Sequence, residues 1–296
     1  MENGNKKHEK IIQVNLNEWN DIFRLTPFLR SDFIYRGQNN DKWVLTTAIE
    51  RLLKVKSHST YDYCSVENDM IIEFHKRHRL YSKMDVDFKD ISDLLSIMQH
   101  HGAATRLLDF TKSIYIAAYF AIIENSSSNK NNAVIWAVNK KILERNYTEK
   151  ISEDYNSFAD KVISESVQTS INRYNRIKTV IPFEPLLSGY TERLSKQQGL
   201  FLMPTNSAFT FMDNLYSAFK VDFLETEKVR FNQLLEMLYY NEEVYIFKLV
   251  IPKKIYSHIA EDLKEMNINA EILFPGLDGL AKSINNKTIE AFSPCR

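Results

Sequence analysis

The apolar positions alternate between two periods, one helical and one extended. Leu16, Trp19, Ile22 and Phe23 recur three to four positions apart and predict a helix over 16–25, which Pro27 ends. Phe33-Ile34-Tyr35 is a short β-type run that delivers Arg36-Gly37-Gln38 at its end, with Asn39, Asn40 and Asp41 as the following turn. Helical spacing returns over 63–78 and 90–100, and Gly102 breaks the second of these helices. Residues 113–124 are apolar almost all round, with Ala117, Ala118 and Ala121 as their small members, so this helix is buried on several sides. Thr111 or Ser113 serves as its N-cap.

The polar run 125–132 reads as a surface turn, and 133–138 as a core strand. Residues 140–175 are charged and read as helical and peripheral. After the break at Pro182 and Pro185 come a β-type run over 199–203 and an alternating strand over 244–251. An amphipathic helix spans 255–266, and 273–280 reads as a turn built on Pro-Gly and Asp-Gly chemistry. The expected fold is therefore α+β, one domain over 1–296 with a mixed, mostly antiparallel sheet. Its core motifs lie at 33–138 and 186–282, with a helical insertion at about 140–180.

Composition narrows the function more by exclusion than by assertion. Thirty-eight basic residues balance thirty-eight acidic ones, so no global field favours nucleic acid or an anionic membrane. Cys64 and Cys295 lack metal-like spacing, which points to a reducing compartment, and the polar start is unlike a signal peptide. The longest apolar stretch, 114–123, is too short to span a bilayer. A cytoplasmic protein with no membrane partner is the expectation.

The densest polar constellation is Gln99-His100-His101-Gly102-Ala103-Ala104-Thr105-Arg106-Leu107-Leu108-Asp109-Phe110-Thr111. Packed between two helices, its buried polar groups need partners. One reading pairs Arg106 with Asp109 and makes Thr111 a cap; at least one of the two charges is then buried. The adjacent His100 and His101 point apart on a helix and have no third ligand at metal spacing, so no metal is expected. No glycine-rich phosphate loop, nucleophile elbow or Cys-x-x-Cys occurs. Glu67 and Glu73 read as solvated charges, and Trp19 and Trp136 as core.

Several of these pieces together resemble the FRG-domain family, named for a Phe-Arg-Gly motif. They are Tyr35-Arg36-Gly37-Gln38 with Trp43 and Leu45, Gln99-His100-His101-Gly102, Thr105 to Thr111, and Ala118-Tyr119-Phe120-Ala121. Tyr35 stands where the family's Phe often does, Ala104 where Pro is expected, and Gly276 where Asp is expected. Arg193 with Gln198-Gly199-Leu200-Phe201, and Leu273-Phe274-Pro275 through Leu280-Ala281, extend the resemblance.

The same motifs are similar, more weakly, to arginine-type ADP-ribosyltransferases. That resemblance implies a site that takes NAD as substrate, in a toxin or anti-phage defence effector. Tyr35, Arg36, Gly37, Gln38, Gln99, His100, Thr105, Arg106 and Thr111 would bind the nucleotide or another anionic ligand. Arg36, Asp109, Glu192 and Gln198 would carry the chemistry. The transferases place a glutamate near Gln197-Gln198, whereas this chain offers amides there, so Glu192 or Asp109 must supply the carboxylate or the fold binds without transferring. The alternative is a non-enzymatic sensor of nucleic acid or protein in bacterial defence. Its motivation is aromatics beside cations, as in Arg173-Tyr174-Asn175-Arg176.

Overall fold

The computed structural model describes residues 7–29, 32–53, 63–81, 91–123, 131–155, 177–185, 191–240 and 243–292. Strands form where β-branched and aromatic residues concentrate. They are β1 (Lys7–Asn15), β2 (Phe33–Gln38), β3 (Leu108–Thr111), β4 (Ala133–Asn139), β5 (Val180–Phe183), β6 (Gly199–Pro204), β7 (Glu225–Lys228) and β8 (Glu243–Ile251). All eight join one sheet in the order β5-β6-β3-β2-β4-β8-β1-β7. Five of the pairings are antiparallel, and the two made by β1, with β8 and with β7, are parallel. The sheet is thus mixed and mostly antiparallel, within an α+β fold.

Alternation along the strands sends side chains to two faces. One face carries Ile34, Phe110, Val134, Trp136, Val138, Leu200, Leu202 and Ile246 and packs under Phe211 and Leu215. The other carries Phe33, Tyr35, Ile135, Ala137, Phe247 and Leu249. It is covered by α1 (Asn20–Leu29) and by the later helix α5 (Ile114–Ile122). Each fully buried Ile, Leu or Phe of these layers contributes about 1.5–3 kcal/mol relative to exposure. A third cluster joins Phe201 and Met203 to Ile71, Leu94, Leu95 and Met98. The last four come from α3 (Cys64–Tyr81) and α4 (Ile91–His100), which follow α2 (Ala48–Leu53).

The seat of α5 on β2 is a close one. A Cβ built on Gly37 would lie 2.0 Å from the Ala117 carbonyl oxygen and 2.6 Å from the Ala121 amide nitrogen. Small residues on both partners let the backbones approach, and Ser113 caps the helix by accepting from the Ile116 amide. The remaining helices are α6 (Lys140–Tyr155), α7 (Thr191–Lys196), α8 (Phe211–Ala218), α9 (Phe231–Tyr239), α10 (Tyr256–Glu265), α11 (Ala270–Leu273) and α12 (Leu277–Phe292). No helix among the described residues is long and apolar enough to cross a membrane.

Three expectations from the sequence need correction, and one strand lies where none was assigned. Pro27 lies inside α1 and does not end it, because the buried stripe Ile22, Leu25 and Leu29 carries the helix past it. The charged start of the chain turns into β1, whose Ile11, Ile12 and Val14 are buried between two parallel neighbours. Pro182 sits within β5, an edge strand where its missing N–H is tolerated. In 273–280 only Pro275-Gly276 is a turn, with Gly276 at φ +73°, and helix α12 begins at Leu277. The polar run 125–130, the helical expectation over 156–175 and the Arg173–Arg176 cluster lie outside the described residues.

Candidate functional site

The ladder between β2 and β3 holds a single pair, Tyr35 with Thr111. Arg36, the next residue, spans from β2 to the β3 backbone. Its Nη1 donates to the Asp109 carbonyl oxygen at 2.7 Å and lies 3.7 Å from the Asp109 carboxylate. The Arg36 Nε is buried and has no hydrogen-bond partner among the described residues. Burial lowers the Arg36 pKa; Asp109 opposes that shift and Arg51 adds to it. An arginine so placed stays cationic.

Asp109 itself is exposed, at 64% of its side chain, at the mouth of a cleft. Its carboxylate accepts from Gln99 Nε2 at 2.9 Å, while Gln99 Oε1 accepts from the Thr105 hydroxyl. Thr105 is fully buried, and its hydroxyl also accepts from the Leu107 amide at 3.2 Å. The chain Thr105–Gln99–Asp109 therefore fixes which end of the Gln99 amide faces the carboxylate. Gln99 belongs to the last turn of α4, and Gly102, at φ +86°, reverses the chain directly after it. The cleft has a volume of about 170 Å³, and Gln99, His100, Asp109, Arg193, Gln197 and Phe201 are among its walls. Partial burial lowers the His100 pKa, and His101 and Arg193 lower it further. Arg193 stacks its guanidinium over Phe274, 5.0 Å from the ring centre.

The structure brings Arg36, Gln99, His100, Thr105 and Asp109 into one neighbourhood and sends Arg106 elsewhere. Arg106 is buried and pairs with Glu67, also buried, not with Asp109. Its backbone N–H donates to the second Glu67 oxygen at 3.0 Å, and Nη1 donates to the Thr205 carbonyl at 3.2 Å. Glu67 is consequently no solvated charge: an arginine driven inward by Leu107 and Leu108 needs a buried carboxylate, and α3 supplies it.

The other site residues drawn from the sequence are not among the cleft's lining residues. The Tyr35 hydroxyl donates to the Leu29 carbonyl at 3.0 Å, and burial, reinforced by Tyr115, pushes its pKa up. Gly37 lies against the α5 backbone. Gln38 accepts from the Trp136 indole N–H at 2.8 Å. The Thr111 hydroxyl donates to the Gln197 carbonyl at 2.7 Å and accepts from the Ser113 amide. Glu192 is exposed and pairs with Lys196 at 3.0 Å. Gln198 is exposed at φ +46°, and its carbonyl accepts from the Lys112 amide. Arg193, quoted for the family pattern, and Gln197, quoted for the transferase comparison, are not among the chosen site residues, yet both line the cleft. Among the described residues no group of three or more His, Cys, Asp or Glu side chains could hold a metal.

The family model for the FRG domain matches residues 31–130. The chain carries an FRG domain. The matched segment holds Arg36, Glu67, Gln99, Thr105, Arg106 and Asp109, so both the Arg36–Asp109 junction and the buried ion pair belong to the FRG domain. Arg193 and Gln197, which complete the cleft, lie beyond it. No curated protein and no solved structure matches the chain.

Proposed function

We propose that the cleft beside the Arg36–Asp109 junction binds an anionic, ribose-bearing nucleotide of the NAD class. The carrying observation is an exposed carboxylate held in one orientation by Gln99, with Arg36 behind it and Arg193 across the cleft. Arg193 has no carboxylate at ion-pair distance among the described residues, so its planar fork is open to a phosphate. Asp109 suits the ribose hydroxyls, which donate to a carboxylate. In an ADP-ribosyl transfer the bond from ribose C1 to nicotinamide breaks with its electron pair going to nicotinamide. An acceptor nucleophile then bonds C1 and gives up its proton. Asp109 would stabilise the positive charge developing on the ribose, since it lines the cleft and Glu192 is not among the lining residues. A toxin or defence role rests on the resemblance alone.

The test is calorimetry with NAD, ADP-ribose and nicotinamide, alongside chromatography for released nicotinamide. Binding of NAD and ADP-ribose that is lost in Asp109→Asn and Arg193→Ala supports the reading, and release of nicotinamide extends it to catalysis. Binding untouched by both variants, or no binding at millimolar ligand, overturns it.

A further inference from the structure

A second polar concentration lies at the opposite end of the sheet. Read in register across the strands, Arg36 faces Trp136, Trp136 faces Lys248, Lys248 faces Gln13, and Gln13 faces Lys228. Direct cross-strand partners project from the same side, so these five form one transverse row. At a strand spacing of about 4.8 Å the row is roughly 19 Å long. The neighbouring row on that face, Ile34, Val138, Ile246 and Ile11, is buried and apolar. The row on its other side, Gln38, Val134, Val250 and Asn15, is buried and apolar at its centre, so the polar row crosses the core of this face and reaches solvent at its Lys228 end.

Of its cations, Arg36 is paired with Asp109, and Lys248 lies within electrostatic range of Asp41. Lys248 is half-buried, with Nζ 5.0 Å from the centre of the buried Trp136 ring. Among the described residues, Lys248, Lys228 and Arg230 have no carboxylate at ion-pair distance. At the Lys228 end of the row a cleft of about 620 Å³ opens beyond the carboxyl ends of β1 and β7. The amides of Gln13, Asn15, Asn17 and Asn232 line it together with Lys228 and Arg230, and Glu236 is the one carboxylate on its wall. The size suits a small molecule. Strands β8, β1 and β7 run parallel, and crevices beyond the carboxyl ends of parallel strands are where such sheets take ligands.

We propose that this cleft is a second ligand site, separate from the Arg36–Asp109 site, for a small phosphate ester with a hydroxyl- or amide-rich body. Lys228 and Arg230 neutralise the phosphate, and the four amides hydrogen-bond the body. Lys248, one strand from Gln13, adds positive potential from the floor of the row. A nucleoside monophosphate and a sugar phosphate share this chemistry.

The experiment is calorimetry on the full chain with AMP, a hexose 6-phosphate and inorganic phosphate. Lys228 and Arg230 are exposed, so the Lys228→Ala/Arg230→Ala double variant folds, and an unchanged melting temperature verifies that. The expected result is that at least one ester binds more tightly than inorganic phosphate. Its affinity falls about tenfold or more in the double variant and is unchanged in Asp109→Asn. Which ester binds distinguishes nucleotide from sugar. The proposal is overturned if no ester binds at millimolar concentration, if inorganic phosphate binds as tightly as both esters, or if the double variant binds like wild type. Loss in Asp109→Asn with retention in the double variant assigns the binding to the first site and also overturns it.

Discussion

Arg36 holds Asp109 by its backbone more than by its charge: Nη1 is 2.7 Å from the Asp109 carbonyl oxygen and 3.7 Å from the carboxylate. Where a regular ladder would join β2 to β3 by backbone bonds, a guanidinium reaches across. The carboxylate, held by Gln99, stays exposed to the cleft while the strand that bears it is pinned.

This division predicts different outcomes for the two residues. Asp109→Asn removes an exposed charge and leaves stability within about 0.5 kcal/mol of wild type. Arg36→Lys cannot reproduce the reach of the fork, strands the Asp109 carbonyl and costs about 1–3 kcal/mol. Both weaken binding of an NAD-class ligand. Denaturant midpoints, with unchanged slopes, measure the stability arm. Equal stability losses in the two variants would show that the charge pair, not the carbonyl bond, holds the junction.

The Glu67–Arg106 pair is the more consequential for folding, since both side chains are almost completely buried. Glu67→Gln or Arg106→Met alone leaves a buried charge without its counterpart and costs about 3–5 kcal/mol. Glu67→Gln combined with Arg106→Met removes both charges, so the double variant is more stable than the two single changes predict by addition. Urea unfolding of the four proteins gives the coupling directly. Strict additivity would contradict the pairing.

The sequence exposed those parts of the fold whose signals are local. β2, β4, β8, α4 and α5 announce themselves by apolar period, and Gly102 by the turn it makes. β1 and β7 do not. Lys7–Lys10 and Glu225–Lys228 are as charged as a tail, and they become strands because β8 and β1 offer them a hydrogen-bonding edge. The site divides the same way. Gln99, Asp109 and Arg36 stand in a dense polar motif, whereas the partner of Arg106 lies 39 residues upstream on α3. Helical spacing marks Glu67 as a residue of α3 without revealing that its side turns inward. Gly37 reads locally as room for a ligand, and only the packing of α5 shows that the room is already filled.

Gly37 and Gly102 are both glycines of the recognised motif, yet they answer differently to alanine. At Gly37 the added methyl would overlap the α5 backbone, which cannot swing away as a side chain could, so Gly37→Ala costs at least about 1–3 kcal/mol. At Gly102 nothing stands within 4 Å, and the cost of Gly102→Ala comes from its φ of +86° alone. That strain is about 1 kcal/mol. Melting curves rank the two, and a larger loss at Gly102 would mean that α5 can shift on the sheet.

His100 gives the cleft a pH signature. Its pKa is lowered by partial burial, by His101 and by Arg193, so the native state favours the neutral ring. As pH falls below about 6.5, the unfolded chain takes up this proton first. Stability contributed here is therefore present above that pH and is lost as pH falls through the lower, folded value. An anionic ligand in the cleft reverses the local balance: a phosphate beside His100 favours the charged ring and raises its pKa. Ligand binding then draws in a proton, and affinity rises as pH is lowered toward the bound-state midpoint. Histidine ring resonances followed by NMR across pH 4.5–8 read both quantities, the range being set about the ordinary histidine value. Free protein should titrate at His100 below about 6.5, and Arg193→Gln should move that midpoint up. Saturating ADP-ribose should move it further. A His100 midpoint that ignores the ligand would place the bound anion outside the Gln99–Asp109–Arg193 cleft.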